Sequence, residues 1–262
     1  MSSTLIHIPD EVRPLLHLLD DADTTVTTAV QSKLISYGSS IVPILRMVLD
    51  RERELDKDKE DDTVFTNAQS CIRALQTDAL AEAVGEMYDA FDAGEDLNLE
   101  SVCIAISRFG CPETDAVTLR SRLDEIALEV HKYIVESSNL NDLTMLMCLN
   151  REFFEERQFK GATKNYYSPE HSYLAHVLET RRGIPLSLSL VYLLVAERVG
   201  IDLDGIGMPL HFLVYHPMLN VYIDAFNQGA FLSREDCEKF VRESGFSFGE
   251  KMLTRSSNKI IV

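Results

Sequence analysis

The sequence has no tryptophan, only five cysteines, and no apolar run long enough to cross a membrane. A membrane-spanning helix needs roughly 18 consecutive apolar residues, whereas the longest candidate, 186–196, is shorter and interrupted by serines. The first residues lack a basic stretch followed by a long apolar one, so we expect no secretory signal. The cysteines are scattered and form no Cys-x-x-Cys pair. These absences predict a cytoplasmic protein with reduced thiols and no membrane partner.

Basic residues are scarce relative to acidic ones. Lys and Arg total 25 against 42 Asp and Glu, which gives a net charge of −17 over 262 residues. Because a negative surface repels phosphate backbones and anionic lipids, we expect no nucleic-acid partner. Hydrophobic residues make up 45% of the chain and charged residues 26%, as in an ordinary folded domain. This composition argues against a disordered chain or a disulfide scaffold.

The sequence also lacks the usual patterns for metals and cofactors. His171 and His176 are five residues apart, a spacing that turns about 140° around a helix, so we expect them not to converge. His211 and His216, also five apart, should point to opposite faces of a strand. There is no His-Glu-x-x-His pattern and no glycine-rich phosphate loop. We therefore expect neither a metal nor a cofactor.

Helical periodicity dominates the first part of the chain. Up to residue 145, apolar residues recur at helical spacing, while glycine and proline are scarce. The charged stretch 51–62 is expected to be a solvated helix end and loop. No long flexible linker follows. We therefore expect an all-helical region, 1–145, packed on the second part of the chain, 146–262.

The second part has a different pattern. An apolar helix should open at Pro185, since proline suits the first helical position, and close at Gly200. Ser233 to Asp236 forms a predicted capping box for a late helix. Short β-like runs separated by turn residues predict antiparallel strands at 201–207, 210–216 and 221–226. A helix feeding an antiparallel sheet gives an α+β fold.

His211 and Asp224 fall on two of the predicted strands, which should be neighbours. An imidazole held by a carboxylate is the orienting half of a nucleophile–base–acid triad. The carboxylate fixes the imidazole tautomer and supports the positive charge that forms on it. A half-buried strand histidine that is merely hydrogen-bonded remains the plainer interpretation.

An ordered series of segments carries a resemblance to a known family. The segments are Phe153–Gly161, Tyr166–Leu174, Val177–Tyr192, Gly205–Val214 and Tyr222–Phe226. Together with the stretch 99–146, they resemble the SirB-type branch of the transglutaminase-like superfamily over roughly the last two thirds of the chain. The resemblance implies a papain-like α+β core, in which a cysteine at a helix N-terminus works with a histidine and an aspartate on adjacent strands. His211 and Asp224 match the latter two.

The cysteine position does not match. Counted back from Gly200 without gaps, Gly183-Ile184-Pro185 falls on the family's Gly-x-Cys, so the resemblance places Pro185 at the nucleophile position. Proline has no nucleophilic side chain. Leu210 stands where the family usually has glycine, and His171 where it usually has asparagine.

Two serines could replace the missing thiol. Ser189 lies one turn beyond Pro185 on the same helix face, whereas Ser187 should point elsewhere. The plainer interpretation is that Ser187 caps the first turn and that Ser189 bonds to backbone or to His211. Cys148 and Cys237 flank this region, but neither sits at a helix N-terminus that would lower its pKa. Partial activation of Cys237 in the first turns of the late helix is the less favoured alternative.

Polar and aromatic residues before the next helix suggest either a structural wall or the border of a groove beside His211. The candidate groove residues are Tyr166, Tyr167, His171, Pro185 and Leu210. Three functions follow as hypotheses. The first is a pseudoenzyme that binds a protein or peptide; the second is a hydrolase or acyl-transferase that uses Ser189 or Ser187 with His211 and Asp224. In the third, the helical region acts as an adaptor and the core only supports it.

Overall fold

The computed structural model describes residues 7–55, 63–94 and 97–257. Residues 1–6 lie outside this part of the chain, and so does most of the charged stretch 51–62, from residue 56 onward. The predictions made for these residues are therefore not compared with the structure. Within the described residues there are ten α-helices: α1 (Arg13–His17), α2 (Thr24–Ile35), α3 (Val42–Leu55), α4 (Thr63–Ala93), α5 (Leu99–Gly110), α6 (Ala116–Glu136), α7 (Asp142–Asn150), α8 (Leu174–Thr180), α9 (Pro185–Arg198) and α10 (Arg234–Glu243).

Six strands are found in the same residues. They are β1 (Lys160–Gly161), β2 (Arg182–Gly183), β3 (Asp204–Met208), β4 (His211–His216), β5 (Val221–Asp224) and β6 (Ala230–Leu232). The last four form an antiparallel sheet in chain order, and β1 and β2 form a short parallel pair. The predicted α+β class with an antiparallel sheet is therefore confirmed. Strands β1, β2 and β6 were not predicted from the sequence, because two or three residues are too few to show a periodicity.

The chain divides into two compact units. The first lies within Met1–Val84 and Arg108–Asp115, and the second within Gly85–Ser107 and Ala116–Val262. The domain boundary expected from the sequence, between 145 and 146, stays a prediction. In the structure α6 packs against α9 inside the second unit. The buried leucine, isoleucine and valine side chains of α6 belong to the same apolar core as those of α9.

The first unit is helical, as its periodicity predicts. Asp23 caps α2, and its carboxylate accepts a hydrogen bond from the Thr25 backbone N–H at 2.8 Å. This satisfies one of the free N–H groups at the start of the helix. The unit has its own apolar core, formed by Val12, Leu19, Val30, Leu34, Ile41, Ile44, Leu45, Ala68, Cys71 and Ile72.

Helix α9 is the centre of the second unit. It begins at Pro185, as predicted, because a residue at the first helical position needs no N–H for the helix. It packs against α6, α8 and β4. The two faces of the sheet contact different helices: Val214 and Ile223 join the core around α9, whereas Leu213 and Tyr222 join a smaller cluster with residues of α10. The sheet is thus covered on both faces. Among the described residues, no helix combines the length and apolarity that crossing a bilayer requires.

Candidate functional site

The His211 and Asp224 side chains meet at one end of the antiparallel sheet. His211 is the first residue of β4, and Asp224 is the last of β5. Continuing the register beyond Val214↔Ile223 places Asp224 opposite Leu213, with His211 two residues further along the same face. His211 Nε2 lies 2.9 Å from Asp224 Oδ2, and the side chains are only 8% and 7% exposed. The strand pairing predicted from the sequence therefore brings these two residues together.

The Asp224 carboxylate accepts hydrogen bonds from its own turn as well as from His211. Oδ1 accepts the backbone N–H of Phe226 at 3.0 Å and of Asn227 at 3.1 Å. Oδ2 accepts the Asn227 side-chain amide at 2.8 Å. Burial raises the pKa of Asp224, but the bonds from His211 and Asn227 outweigh burial and hold that pKa below its ordinary value of 3.8. Asp224 is therefore ionised at neutral pH.

This ionisation fixes the imidazole tautomer. A carboxylate can only accept, so Nε2 of His211 carries the proton of the 2.9 Å contact. In the neutral ring, Nδ1 is then the acceptor. The pair can hold and orient an imidazole that takes a proton at Nδ1. Nucleophilic chemistry would in addition need a hydroxyl or thiol within reach of that atom.

Ser187 is committed to the first turn of α9, as predicted. Its Oγ donates to the backbone carbonyl of His171 at 2.6 Å, and it accepts the backbone N–H of Ile184 at 3.1 Å. The side chain ties the preceding segment to the start of α9. With both bonds directed at backbone groups, Ser187 has a structural role at this helix end.

Ser189 is placed differently from the expectation. The prediction that its hydroxyl bonds to backbone or to His211 was wrong: Oγ is buried and has no hydrogen-bond partner among the described residues. The residue is 0% exposed. The cause is its position within the core around α9, which is built of apolar side chains. No hydrogen bond in the described chain joins either serine to His211.

Aromatic rings surround His211. Its ring lies 5.3 Å from that of Phe240 on α10 and 6.1 Å from that of Phe226, between centroids. Tyr166 packs edge-on against both Phe226, at 6.1 Å, and Tyr167, at 5.2 Å. The candidate groove tyrosines are therefore connected to His211 through Phe226. Sequence reasoning missed Phe226 and Phe240, although the position of Phe226, two residues after Asp224, was a usable signal.

Leu210 occupies a strained position beside His211. It lies in the turn between β3 and β4, where Met208 pairs with His211, and its φ angle is +61°. A left-handed backbone costs a residue with a Cβ about 1–2 kcal/mol. The side chain is 75% exposed, and that of Tyr167 is 93% exposed. Both side chains thus face solvent.

His171 and His176 contact each other, which corrects the expectation that they would not converge. Their ring centroids are 5.3 Å apart. The two residues do not share one helix: His171 belongs to a 3₁₀ turn, Pro169–Ser172, whereas α8 begins at Leu174. The extended backbone of Tyr173 between them resets the direction of the chain. Among the described residues, no group of three or more His, Cys, Asp and Glu could hold a metal ion.

Comparison with known proteins identifies the family. The family described as the transglutaminase-like superfamily matches residues 118–262. The chain belongs to the transglutaminase-like superfamily. No solved structure gives a significant match to this transglutaminase-like chain.

Several relatives resemble part of the transglutaminase-like chain. A UPF0162 protein of Xylella fastidiosa (strain 9a5c) is 37% identical over 150 residues, covering 56% of this chain and 53% of the relative. The F-box only protein 21 of Mus musculus is 32% identical over 120 residues, covering 40% of this chain and 19% of the relative. A UPF0162 protein of Vibrio cholerae is 26% identical over 140 residues, 52% of this chain and 50% of the relative. The chain thus spans about half the length of the UPF0162 relatives.

A thiol does lie near the His211–Asp224 pair, but it is not activated. Cys237, in the first turns of α10, is 0% exposed. Burial, followed by the negative charges of Asp236 and Asp224, raises the pKa of its thiol to about 12. Burial likewise raises the pKa of the Cys103 thiol to about 12. Thiols with such pKa values are almost entirely protonated at neutral pH. This agrees with the expectation from the sequence that Cys237 is not at an activating position.

Proposed function

We propose that this chain is a non-catalytic protein- or peptide-binding module of the SirB-type branch of its superfamily. The observation that carries the proposal is Pro185 at the first residue of α9. At the position where the resemblance expects a cysteine, proline has no nucleophilic atom. It also lacks the backbone N–H that could help to hold an oxyanion in acyl transfer.

The neighbouring hydroxyls and thiols support the proposal. Ser187 is bonded to two backbone groups. Ser189 is enclosed in the core, and Cys237 has a thiol pKa of about 12. Each of these three side chains is therefore bonded, enclosed or protonated, which supports the loss of catalysis. The His211–Asp224 pair then serves as a polar, oriented feature of a binding surface.

The exposed apolar residues give that surface its binding capacity. Leu210, which precedes His211 in the chain, is 75% exposed, and Tyr167, whose ring contacts Tyr166, is 93% exposed. Aromatic anchors such as tyrosine, with hydrogen-bonding groups nearby, are typical of protein recognition sites. A similar region makes up 19% of a relative named F-box only protein 21. This supports a module that functions within longer chains.

Activity-based probes test the loss of catalysis. We expect broad thiol- and serine-reactive reagents, such as iodoacetamide and a fluorophosphonate, to leave every residue around His211 unlabelled in the folded protein. Peptide mapping by mass spectrometry reads out the labelled positions. Stoichiometric labelling of Ser187, Ser189 or Cys237 that disappears in the His211→Ala variant would refute the proposal in favour of a hydrolase or acyl-transferase.

Peptide selection tests the binding role. A phage-displayed library of random dodecapeptides is panned on the immobilised full chain, and enriched peptides are re-tested against variants. We expect Leu210→Asp and Tyr167→Ala to weaken binding. Met218→Asp is the matched control, since Met218 is 80% exposed at the opposite end of β4. Failure to enrich any peptide, or equal binding by all three variants, would count against the module.

A further inference from the structure

We infer that Asn150, together with Tyr192, is a positioning residue that fixes the carboxylate of Asp224 against His211. The positioning role stands on the hydrogen bonds described below, whereas its consequence for peptide binding rests on the proposed function. Asn150 is the last residue of α7 and is distant in sequence from the pair. Its role follows from three consecutive hydrogen bonds and from the backbone conformation of one turn.

The hydrogen bonds lead from the helical core to Asp224. The Tyr192 hydroxyl on α9 donates to Asn150 Oδ1 at 2.6 Å. The Asn150 side-chain amide donates to the backbone carbonyl of Gly229 at 3.2 Å. The backbone N–H of Gly229 in turn donates to the backbone carbonyl of Asp224 at 2.8 Å. Asn150 is thus held on one side by a buried tyrosine. On the other side, it holds the end of the turn formed by residues 224–229.

This turn needs support from outside. Gln228 and Gly229 have φ angles of +58° and +72°, two left-handed residues in succession. Glycine adopts this conformation without strain, whereas at Gln228 it persists because the surrounding structure enforces it. A Cβ atom on Gly229 would lie 2.4 Å from the Phe154 ring and 3.0 Å from Asn150 Nδ2, so the glycine backbone is pressed against both side chains. Phe154 belongs to a π-helical turn, Arg151–Glu156, that directly follows Asn150.

The same turn holds the Asp224 carboxylate. The backbone N–H groups of Phe226 and Asn227 donate to Oδ1, and the Asn227 amide donates to Oδ2, the oxygen that also contacts His211. A shift of the turn would misalign all these donors together. Asn150 therefore acts on His211 through the turn, without touching the imidazole itself.

An ordinary structural role would also make Asn150 sensitive to mutation. Tyr192 is 0% exposed, so removing the amide leaves a buried hydroxyl without its partner and costs stability. Stability alone does not distinguish the two roles. The distinguishing quantity is the protection of the His211 Nε2 proton from exchange with water, because that proton lies in the contact with Asp224.

The experiment follows this proton by NMR in the full chain carrying isotope-labelled histidine, assigned with a His211→Ala variant. We expect a slowly exchanging ring N–H signal in the unmodified protein. In Asn150→Ala its exchange with water should accelerate about tenfold or more, since a hydrogen bond to a charged acceptor is lost. Ser107→Ala is the control: Ser107 is 0% exposed and bonds to Cys103 and Ala175, so it loses stability without sharing a partner with the pair.

A second variant covers the case in which Asn150→Ala does not fold. Tyr192→Phe keeps the ring and frees Asn150 Oδ1, and it should accelerate exchange in the same direction. An unchanged His211 signal in a folded variant of either residue would overturn the inference, as would equal acceleration in Ser107→Ala. The absence of a protected signal in the unmodified protein would overturn it as well.

Binding of the selected dodecapeptides separates this inference from the proposed function. Weaker binding by Asn150→Ala together with faster proton exchange supports both. Faster exchange with unchanged peptide binding supports the positioning role and contradicts the proposed use of the pair in binding. Unchanged exchange with weaker binding contradicts the positioning role and leaves the binding module supported.

Discussion

The imidazole of His211 donates from Nε2 to Oδ2 of Asp224 across 2.9 Å, although the residues are 13 positions apart in the chain. Both side chains are less than a tenth exposed. The ionised carboxylate is held by donors that exist only when the turn after β5 is folded. The protonation of Asp224 is therefore coupled to folding.

This coupling predicts an acid-sensitive contribution to stability. The pKa of folded Asp224 lies below its ordinary value, so the unfolded chain binds the proton first as pH falls. The contribution is fully present above about pH 4 and is lost as pH falls through the folded pKa. We expect Asp224→Asn to lower the free energy of unfolding by about 1–3 kcal/mol at neutral pH. The difference should shrink below about pH 4.

Urea unfolding of both proteins at a series of pH values measures this difference. Asp236→Asn is a useful comparison, because Asp236 also has a lowered pKa but belongs to the capping box of α10. A stability difference for Asp224→Asn that stays constant through the acid range would show that the carboxylate is not held as described.

Replacement by alanine should destabilise the protein at Ser187 but not at Ser189. Ser187→Ala removes bonds to His171 and Ile184 and should cost about 0.5–2 kcal/mol, as for the loss of a helix cap. Ser189→Ala removes a buried hydroxyl that has no partner, so the free energy of unfolding should stay the same or rise. Chemical denaturation of both variants decides the matter. A loss of stability in Ser189→Ala equal to that in Ser187→Ala would contradict this arrangement.

Leu210→Gly should raise stability slightly. The φ angle of +61° costs leucine about 1–2 kcal/mol, whereas glycine adds about 0.5–1 kcal/mol of entropy loss on folding. The net gain is therefore between zero and about 1.5 kcal/mol. Met218→Gly is the control, since Met218 is equally exposed but is not among the residues with positive φ. It should lose stability, and a parallel loss in Leu210→Gly would argue against backbone strain at this turn.

The buried thiols of Cys103 and Cys237 should be inert. Because the pKa values of Cys103 and Cys237 are about 12, each thiol is ionised in only about one molecule in ten thousand at about pH 8. We expect Ellman's reagent to leave both unmodified in the folded protein and to react with them once the chain is unfolded in guanidinium. Cys103→Ser and Cys237→Ser variants assign the signals. Fast modification of Cys237 in the folded state would reopen thiol chemistry at this site.

Local sequence signals predicted much of the second unit. The start of α9 at Pro185 and the capping box of α10 from Ser233 to Asp236 follow from the residues at those positions. The antiparallel pairing that joins His211 to Asp224 followed from short β-like runs separated by turns. These features depend on neighbouring residues along the chain, so the sequence contains the information they need.

Other features depend on breaks between elements or on packing between residues far apart in sequence. The contact of His171 with His176 requires a break between two helical segments, and the isolation of the Ser189 hydroxyl depends on the core that closes around it. Periodicity describes one element at a time and contains neither fact. Asn150 was likewise not recognised, because its partners, Tyr192 and Gly229, lie 42 and 79 residues away.

By itself, the sequence determined the α+β class, the helix that begins with proline, and the histidine–aspartate pair, because capping, alternation and turn residues act over a few positions. The tertiary structure decided which side chains surround that pair, which serine is bonded and which is enclosed, and how the Asp224 turn is held. Those outcomes depend on packing between elements, which local preferences do not specify.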